Sequence, residues 1–243
     1  MYNVRKRLIR LRIGRTVSLH DRWITERKNE RYYKLAKKEG YRSRAAYKLI
    51  QIDRRFGIFD EGDSVVDLGA FPGGWLQVAK EKTGDTGKII GVDLRRIKPI
   101  EGVETIVGDV TEDSTMIELL ERFGGKADVV ISDMAPNIAG HYSMDHARSM
   151  HLCGFALNVC DRILRKNGIL VMKAFMGDMF EELKEQAESR FQSVKVYTPA
   201  ATRDSSSEVY IVCKGFYAKN KVKLEPLEEP KKEKEFTVKG DFI

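Results

Sequence analysis

The chain contains no apolar run approaching the roughly 20 residues that a membrane-spanning helix requires. No membrane-spanning helix and no membrane partner are expected. Its basic start, MYNVRKRLIRLRIGR, also lacks the uninterrupted apolar stretch of a secretory signal. Cysteine is scarce: Cys153, Cys160 and Cys213 are odd in number and sit within apolar patterns. They predict neither a disulfide framework nor a metal site, and read as small core residues of a reducing compartment, with the cytoplasm as the expected location. His141, His146 and His151 are spaced by five, a step that does not stack side chains on one helical face, and no cysteine or acid completes a ligand set. No metal is expected. Ser205, Ser206 and Ser207 have no adjacent histidine to activate a nucleophile. A G-x-G-x-x-G fingerprint is missing too, which disfavours a dinucleotide oxidoreductase.

What is present is charge, unevenly placed. Residues 1 to 55 hold 18 Lys plus Arg against 5 Asp plus Glu, a local net of +13, whereas the remaining 188 residues carry a net of −6. A mildly acidic body with a strongly basic N-terminal arm points to an anionic partner. A chain of 243 residues buries one good core. The expected organisation is a basic arm over residues 1–37, one domain over 38–216 and a charged, Pro-broken tail over 217–243. That tail cannot bury enough apolar surface to offset its ordering entropy. Nothing suggests a stable oligomer, and a monomer is expected.

Helical and extended patterns alternate along the middle of the chain. Residues 42–56 place Ala45, Leu49, Ile52 and Phe56 at helical spacing opposite an Arg-rich face. Short apolar runs at 64–69, 88–93, 105–109, 127–133 and 168–175 read as buried strands, with helices expected over 74–82, 113–123, 145–166 and 178–190. Asp113 or Ser114 is the expected cap of the second of these. Two late strands, 194–199 and 208–216, have only a loop between them and should pair antiparallel. The expected architecture is thus α/β, a mostly parallel sheet covered on both faces.

In such sheets ligands bind beyond the carboxyl ends of the strands. Asp67, Asp93, Asp109 and Asp133 all lie at strand ends, as does Lys173 within VMKAF. Any one of them alone would pass for an ordinary polar residue; five at one edge mark a site. The first strand leads into DLGAFPGGW (67–75), whose glycines allow close backbone approach and whose Pro72 stiffens the turn. This loop suits an adenosine cofactor with a charged amino-acid tail. Asp93 is placed to accept from ribose hydroxyls, and Asp109 from an exocyclic adenine amine.

DLGAFPGGW, GVDLR, GDV, SDMAPNIAG, VMKAFMG and RDSSSEVYIV together resemble the FtsJ (RrmJ) family of ribosomal RNA 2′-O-methyltransferases, continuously from about Arg42 to Phe216. The resemblance implies a Rossmann-like methyltransferase fold, a seven-stranded sheet with a reversed final strand, and S-adenosylmethionine as cofactor. It places cofactor contacts on Gly69, Gly73, Trp75, Asp93, Asp109 and Asp133, and the family's catalytic K-D-K-E set on Lys48, Asp133, Lys173 and Glu208. Phe71 stands where many members have Ala. Transfer RNA members more often carry Gly in place of Met134, Asp in place of Asn137 and Ser in place of Gly74, so these three positions side with the large-subunit ribosomal RNA branch and with ribosomal RNA or the large subunit as partner.

Methyl transfer from a sulfonium leaves a neutral thioether, so the protein must mainly position the acceptor and manage its proton. Lys173 is the expected base or hydroxyl-steering group and Lys48 the stabiliser of the developing oxyanion, with Asp133 and Glu208 orienting the two lysines. Lys34, Lys37, Lys38, Arg42, Arg44, Arg54 and Arg55 are the expected phosphate contacts. Tyr32, Tyr33, Tyr41 and Tyr47 interleave with them and could stack on bases or pack internally. The alternatives are a transfer RNA enzyme of the same family and a non-catalytic RNA-binding assembly factor.

Overall fold

A computed structural model describes residues 9–10, 16–17, 30–136, 142–203 and 206–217. Near the N-terminus β1 (Ile9–Arg10) and β2 (Thr16–Val17) form a two-residue antiparallel ladder. Helix α1 follows over 30–39, then α2 (Ala46–Phe56). The body runs β3 (Val65–Leu68), α3 (Gly74–Thr83), β4 (Ile89–Asp93), β5 (Glu104–Val107), α4 (Asp113–Phe123), β6 (Ala127–Ser132), α5 (Tyr142–Ile163), β7 (Leu164–Phe175), α6 (Phe180–Glu188), β8 (Phe191–Tyr197) and β9 (Glu208–Phe216).

Seven strands form one sheet in the order β5-β4-β3-β6-β7-β9-β8. The first five are parallel, and β9 runs antiparallel to both β7 and β8. The reversed last strand expected from the sequence is therefore present. The order turns around at β3, placing the β3 and β6 carboxyl ends side by side, which is where open α/β sheets bind ligands.

Each face of the sheet buries its own core, because side chains alternate along a strand. Val66, Leu68, Ile90 and Val92 pack with α4, α5 and α6 through Leu119, Leu157 and Leu183. Val65, Ile89, Ile131 and Val171 face α2 and α3 through Leu49, Ile52, Leu76 and Val78. The same alternation puts Lys173, two residues on from Val171, on the α2 side.

Three expectations need correction. Helix α4 takes Glu112 as its N-cap residue and makes no side-chain capping bond, so neither Asp113 nor Ser114 caps it. Asp113 occupies the first turn instead, where its charge favours the helix dipole. Helix α2 starts at Ala46 rather than 42, leaving Arg42, Ser43 and Arg44 in the turn before it. Helix α5 ends at Ile163 rather than 166, because β7 already begins at Leu164. Helix α1 packs through Ala36 and Tyr32 onto Tyr47 of α2. Most of residues 1–29 and the tail beyond Tyr217 lie outside the described residues.

Candidate active site

Four elements bring Lys48, Asp133, Lys173 and Glu208 together. Asp133 directly follows β6, Lys173 lies near the end of β7, Glu208 opens β9 and Lys48 sits in the first turn of α2. Lys173 Nζ lies 3.0 Å from Asp133 Oδ1 and also donates to the Asp133 carbonyl. Lys48 Nζ lies 2.5 Å from Glu208 Oε1. Both lysine side chains are almost completely buried, and a buried ammonium without a counter-charge would be costly. Each lysine has its own carboxylate, Asp133 for Lys173 and Glu208 for Lys48.

Sequence reasoning missed the residue that joins the two pairs. Tyr210 stands opposite Lys173 in the β7–β9 register and on the same β9 face as Glu208. Its hydroxyl donates to Asp133 Oδ1 at 2.8 Å, and Lys48 Nζ lies 5.6 Å from its ring centroid. Burial, then the fields of Asp133 and Glu208, push the phenol well above its usual range, so it remains a donor. The signal available was the strand period itself: in EVYIV, Glu208 and Tyr210 share a face.

On the neighbouring strand ends, Asp93 accepts from the Phe71 and Arg95 amides, at 2.9 Å each, which ties the β3–α3 loop to the end of β4. Asp109 lies two residues beyond β5 and accepts from the Thr111 amide and hydroxyl at 2.9 and 2.7 Å. Trp75 is buried; its indole N–H donates to the Ala45 carbonyl at 2.8 Å and its ring packs on Tyr210. Its side chain therefore belongs to the core, and only its amide, in the first turn of α3, can face a ligand. The glycines are explained partly by packing. A Cβ on Gly69 (φ +74°) would come within 2.7 Å of Met134, and one on Gly73 (φ +106°) within 2.9 Å of Arg42. A Cβ on Gly74 would meet Ser43 Oγ at 2.6 Å, so glycine there follows from helix–turn packing as well as from any preference for target. Asn137 lies outside the described residues, as do His141 and Ser205.

Asp67 is 0% exposed, and neither carboxyl oxygen has a hydrogen-bond partner. Burial, then the negative fields of Asp133 and Asp93, raise its pKa well above the ordinary carboxylate range. A group that holds its proton more tightly when folded favours folding most below its unfolded pKa, about 3.9, and loses that contribution as pH rises toward the native value. Asp67→Asn keeps the shape and removes the protonation cost. Its melting temperature should exceed the parent's at neutral pH, with the gap closing toward about pH 4. A variant melting below the parent at neutral pH would show instead that the carboxylate is ionised and partnered.

The basic residues expected to meet phosphates divide into groups. Lys34, Lys37 and Lys38 are exposed on α1, with Lys34 paired to Glu30 at 2.7 Å. Arg44 is half-buried; desolvation and the nearby Arg203 lower its pKa, while Glu208 opposes them. Arg54 and Arg55 are exposed in the last turn of α2, roughly 9 Å along the axis from Lys48 and toward the opposite edge of the sheet. They do not join the acceptor site. Arg42 is a correction: its guanidinium donates to the carbonyls of Pro72, Lys98 and Pro99 at 3.2, 2.6 and 2.7 Å, so it braces the cofactor loop rather than offering its donors to phosphate. The tyrosines resolve similarly. Tyr32, Tyr41 and Tyr47 form an internal cluster with ring centroids 5.4 and 5.8 Å apart, and only Tyr33 of the four is exposed.

Residues 41–216 match the family described as FtsJ-like methyltransferase. A ribosomal RNA large subunit methyltransferase E from Natronomonas pharaonis is 55% identical over 184 residues, 76% of this chain and 73% of that one. One of the same name from Methanosarcina acetivorans is 53% identical over 186 residues, 76% of this chain and 68% of its own. Among solved structures, a protein from Plasmodium falciparum described as a ribosomal RNA methyltransferase superposes with a TM-score of 0.67 at 31% identity, covering 74% of this chain and 100% of that one. A family match over most of the folded body, with relatives above half identity, leaves one conclusion: the chain belongs to the FtsJ-like family of S-adenosylmethionine-dependent methyltransferases.

Proposed function

We propose that this protein methylates a ribose 2′-hydroxyl, that of an unpaired uridine, in large-subunit ribosomal RNA. The observation that carries the reading is the pair of buried lysine–carboxylate contacts joined through Tyr210. A hydroxyl acceptor needs its proton steered away and its developing negative charge stabilised, and cations fixed in a nearly dry site do both. Nitrogen acceptors gain nothing from such a site. The relatives above, whose names specify the large ribosomal subunit, support the same substrate.

The strand ends fit the cofactor. Its cationic amine suits the part-exposed carboxylate of Asp133, and its carboxylate suits the first-turn amides of α3 at Gly74 and Trp75. Asp93 would take the ribose hydroxyls and Asp109 the adenine amine. When bound, S-adenosylmethionine supplies a methyl group activated by a sulfonium. Lys173 Nζ commits two positions to Asp133, so its remaining position is the one that meets the acceptor hydroxyl. Asp133 and Tyr210 hold that nitrogen in place. Lys48, fixed by Glu208, stabilises charge on the oxygen as its proton leaves. Exposed lysines on α1 and the half-buried Arg44 engage flanking phosphates.

The test offers labelled cofactor to large ribosomal subunits, naked ribosomal RNA and transfer RNA. Label should appear in large-subunit RNA, at a nucleotide whose 3′ linkage becomes resistant to alkali because the 2′-oxygen is blocked. Label only in transfer RNA would reject the ribosomal substrate and leave the 2′-O chemistry standing. Label on a base would overturn both.

A further inference from the structure

We propose that the loop after β4, together with Phe71, forms a second RNA-docking surface on the cofactor side of the site, where an unpaired base of the substrate stacks on the Arg95–Phe71 pair and neighbouring phosphates meet Arg96 and Lys98. The inference rests on RNA being the substrate, and names a contact that the basic arm does not supply.

The pair is unusual for a surface. Phe71 is 37% exposed, and the Arg95 guanidinium carbon lies 3.7 Å from its ring centroid. The Arg95 side chain is itself 67% exposed, so the stack has an outer face open to a ligand. Guanidinium planes and aromatic rings are the two surfaces on which unpaired bases stack, irrespective of sequence. Around it, Leu94, Arg96 and Lys98 are exposed while Ile97 anchors the loop in the core. Three cations beside an exposed ring and an exposed Leu94 complement a single strand, whose phosphates and bases alternate.

The surface is also held in place before anything binds. Asp93 accepts from the amides of both Phe71 and Arg95, and Arg42 holds the carbonyls of Lys98 and Pro99. A platform ordered in advance loses little entropy on docking. Its position sets its range. From β4 to β7 is three strand spacings, roughly 14 Å, too far for the target ribose and suited to a flanking nucleotide.

The competing reading makes the Arg95–Phe71 stack a cover for the cofactor's own adenosine, and one set of variants separates the two. Binding of a fluorescent single-stranded oligouridine and of naked large-subunit ribosomal RNA is measured across a salt series, and cofactor affinity by calorimetry. Phe71→Ala should weaken RNA binding by at least about five-fold without altering its salt slope, because stacking releases no counterions. Phe71→Tyr should restore it. The double variant Arg96→Ala, Lys98→Ala should flatten the slope of log affinity against log salt by about 0.7 per charge removed. Cofactor affinity should stay at the parental value throughout, which also reports that the loop is intact. Lost cofactor affinity with unchanged RNA affinity would overturn the proposal in favour of a cover. Parental RNA binding by both variants would overturn it and leave the RNA substrate untouched, whereas a parent that binds neither RNA would overturn both.

Discussion

Lys173→Ala should lower methyl-transfer turnover by about 100- to 10,000-fold, the range a positioned proton-handling group contributes. Cofactor affinity should remain at the parental value, because the role proposed for Nζ is at the acceptor. Removing the ammonium leaves Asp133 still bonded by Tyr210, so the cofactor-side carboxylate keeps a partner and an orientation. Lys173→Met preserves the volume of this almost completely buried side chain and should lose as much activity with little change in melting temperature. Lys173→Arg should not rescue turnover, since a guanidinium keeps its proton and its planar fork does not fit a site built for a point charge. Single-turnover kinetics with calorimetry provide the check. Turnover close to the parent in the Ala variant would remove Lys173 from the chemistry.

Arg42→Ala should act on the fold of the cofactor loop and leave RNA recognition nearly unchanged. Its guanidinium donates to three carbonyls, one in the β3–α3 loop and two after β4, and it fills the space against Gly73. Charge-assisted bonds of this kind contribute about 1.5–3 kcal/mol each when buried. These are partly exposed, so the combined loss should be about 1–3 kcal/mol. For a chain of this size each kcal/mol moves the melting temperature by about 2–4 °C. Cofactor affinity should fall as the loop loosens. Arg42→Lys should recover little, because an ammonium on a shorter stem does not span the two guanidinium nitrogens that reach Pro72, Lys98 and Pro99 together. Unchanged melting and cofactor affinity combined with a flattened salt dependence of RNA binding would return Arg42 to the phosphate contacts.

These two variants mark where the sequence was legible. Lys173 stands out because a lysine inside an apolar strand needs a reason, and the family resemblance implied Asp133, Glu208 and Lys48 as its companions. Arg42 reads as one more charge in a basic stretch, since nothing local distinguishes an arginine that meets carbonyls 30 and more residues away from one that faces solvent. Trp75 is similar: the family resemblance implies a cofactor contact, yet the indole is spent on Ala45 and Tyr210.

The sequence by itself determined the sheet, its reversed last strand and the strand-end acids, while the family resemblance singled out Lys48, Asp133, Lys173 and Glu208. The elements follow from local hydrophobic period, which acts over a few residues, and the four side chains from short motifs matched to a family. Tertiary structure alone decided that the lysines are paired separately and joined by Tyr210, that Asp67 is an unpartnered buried acid, that Arg42 is structural and that Arg54 and Arg55 lie away from the site. It also set Arg95 on Phe71. Each of these depends on the distance between groups far apart in the chain, and that distance is fixed by strand order and helix packing, which no local pattern records.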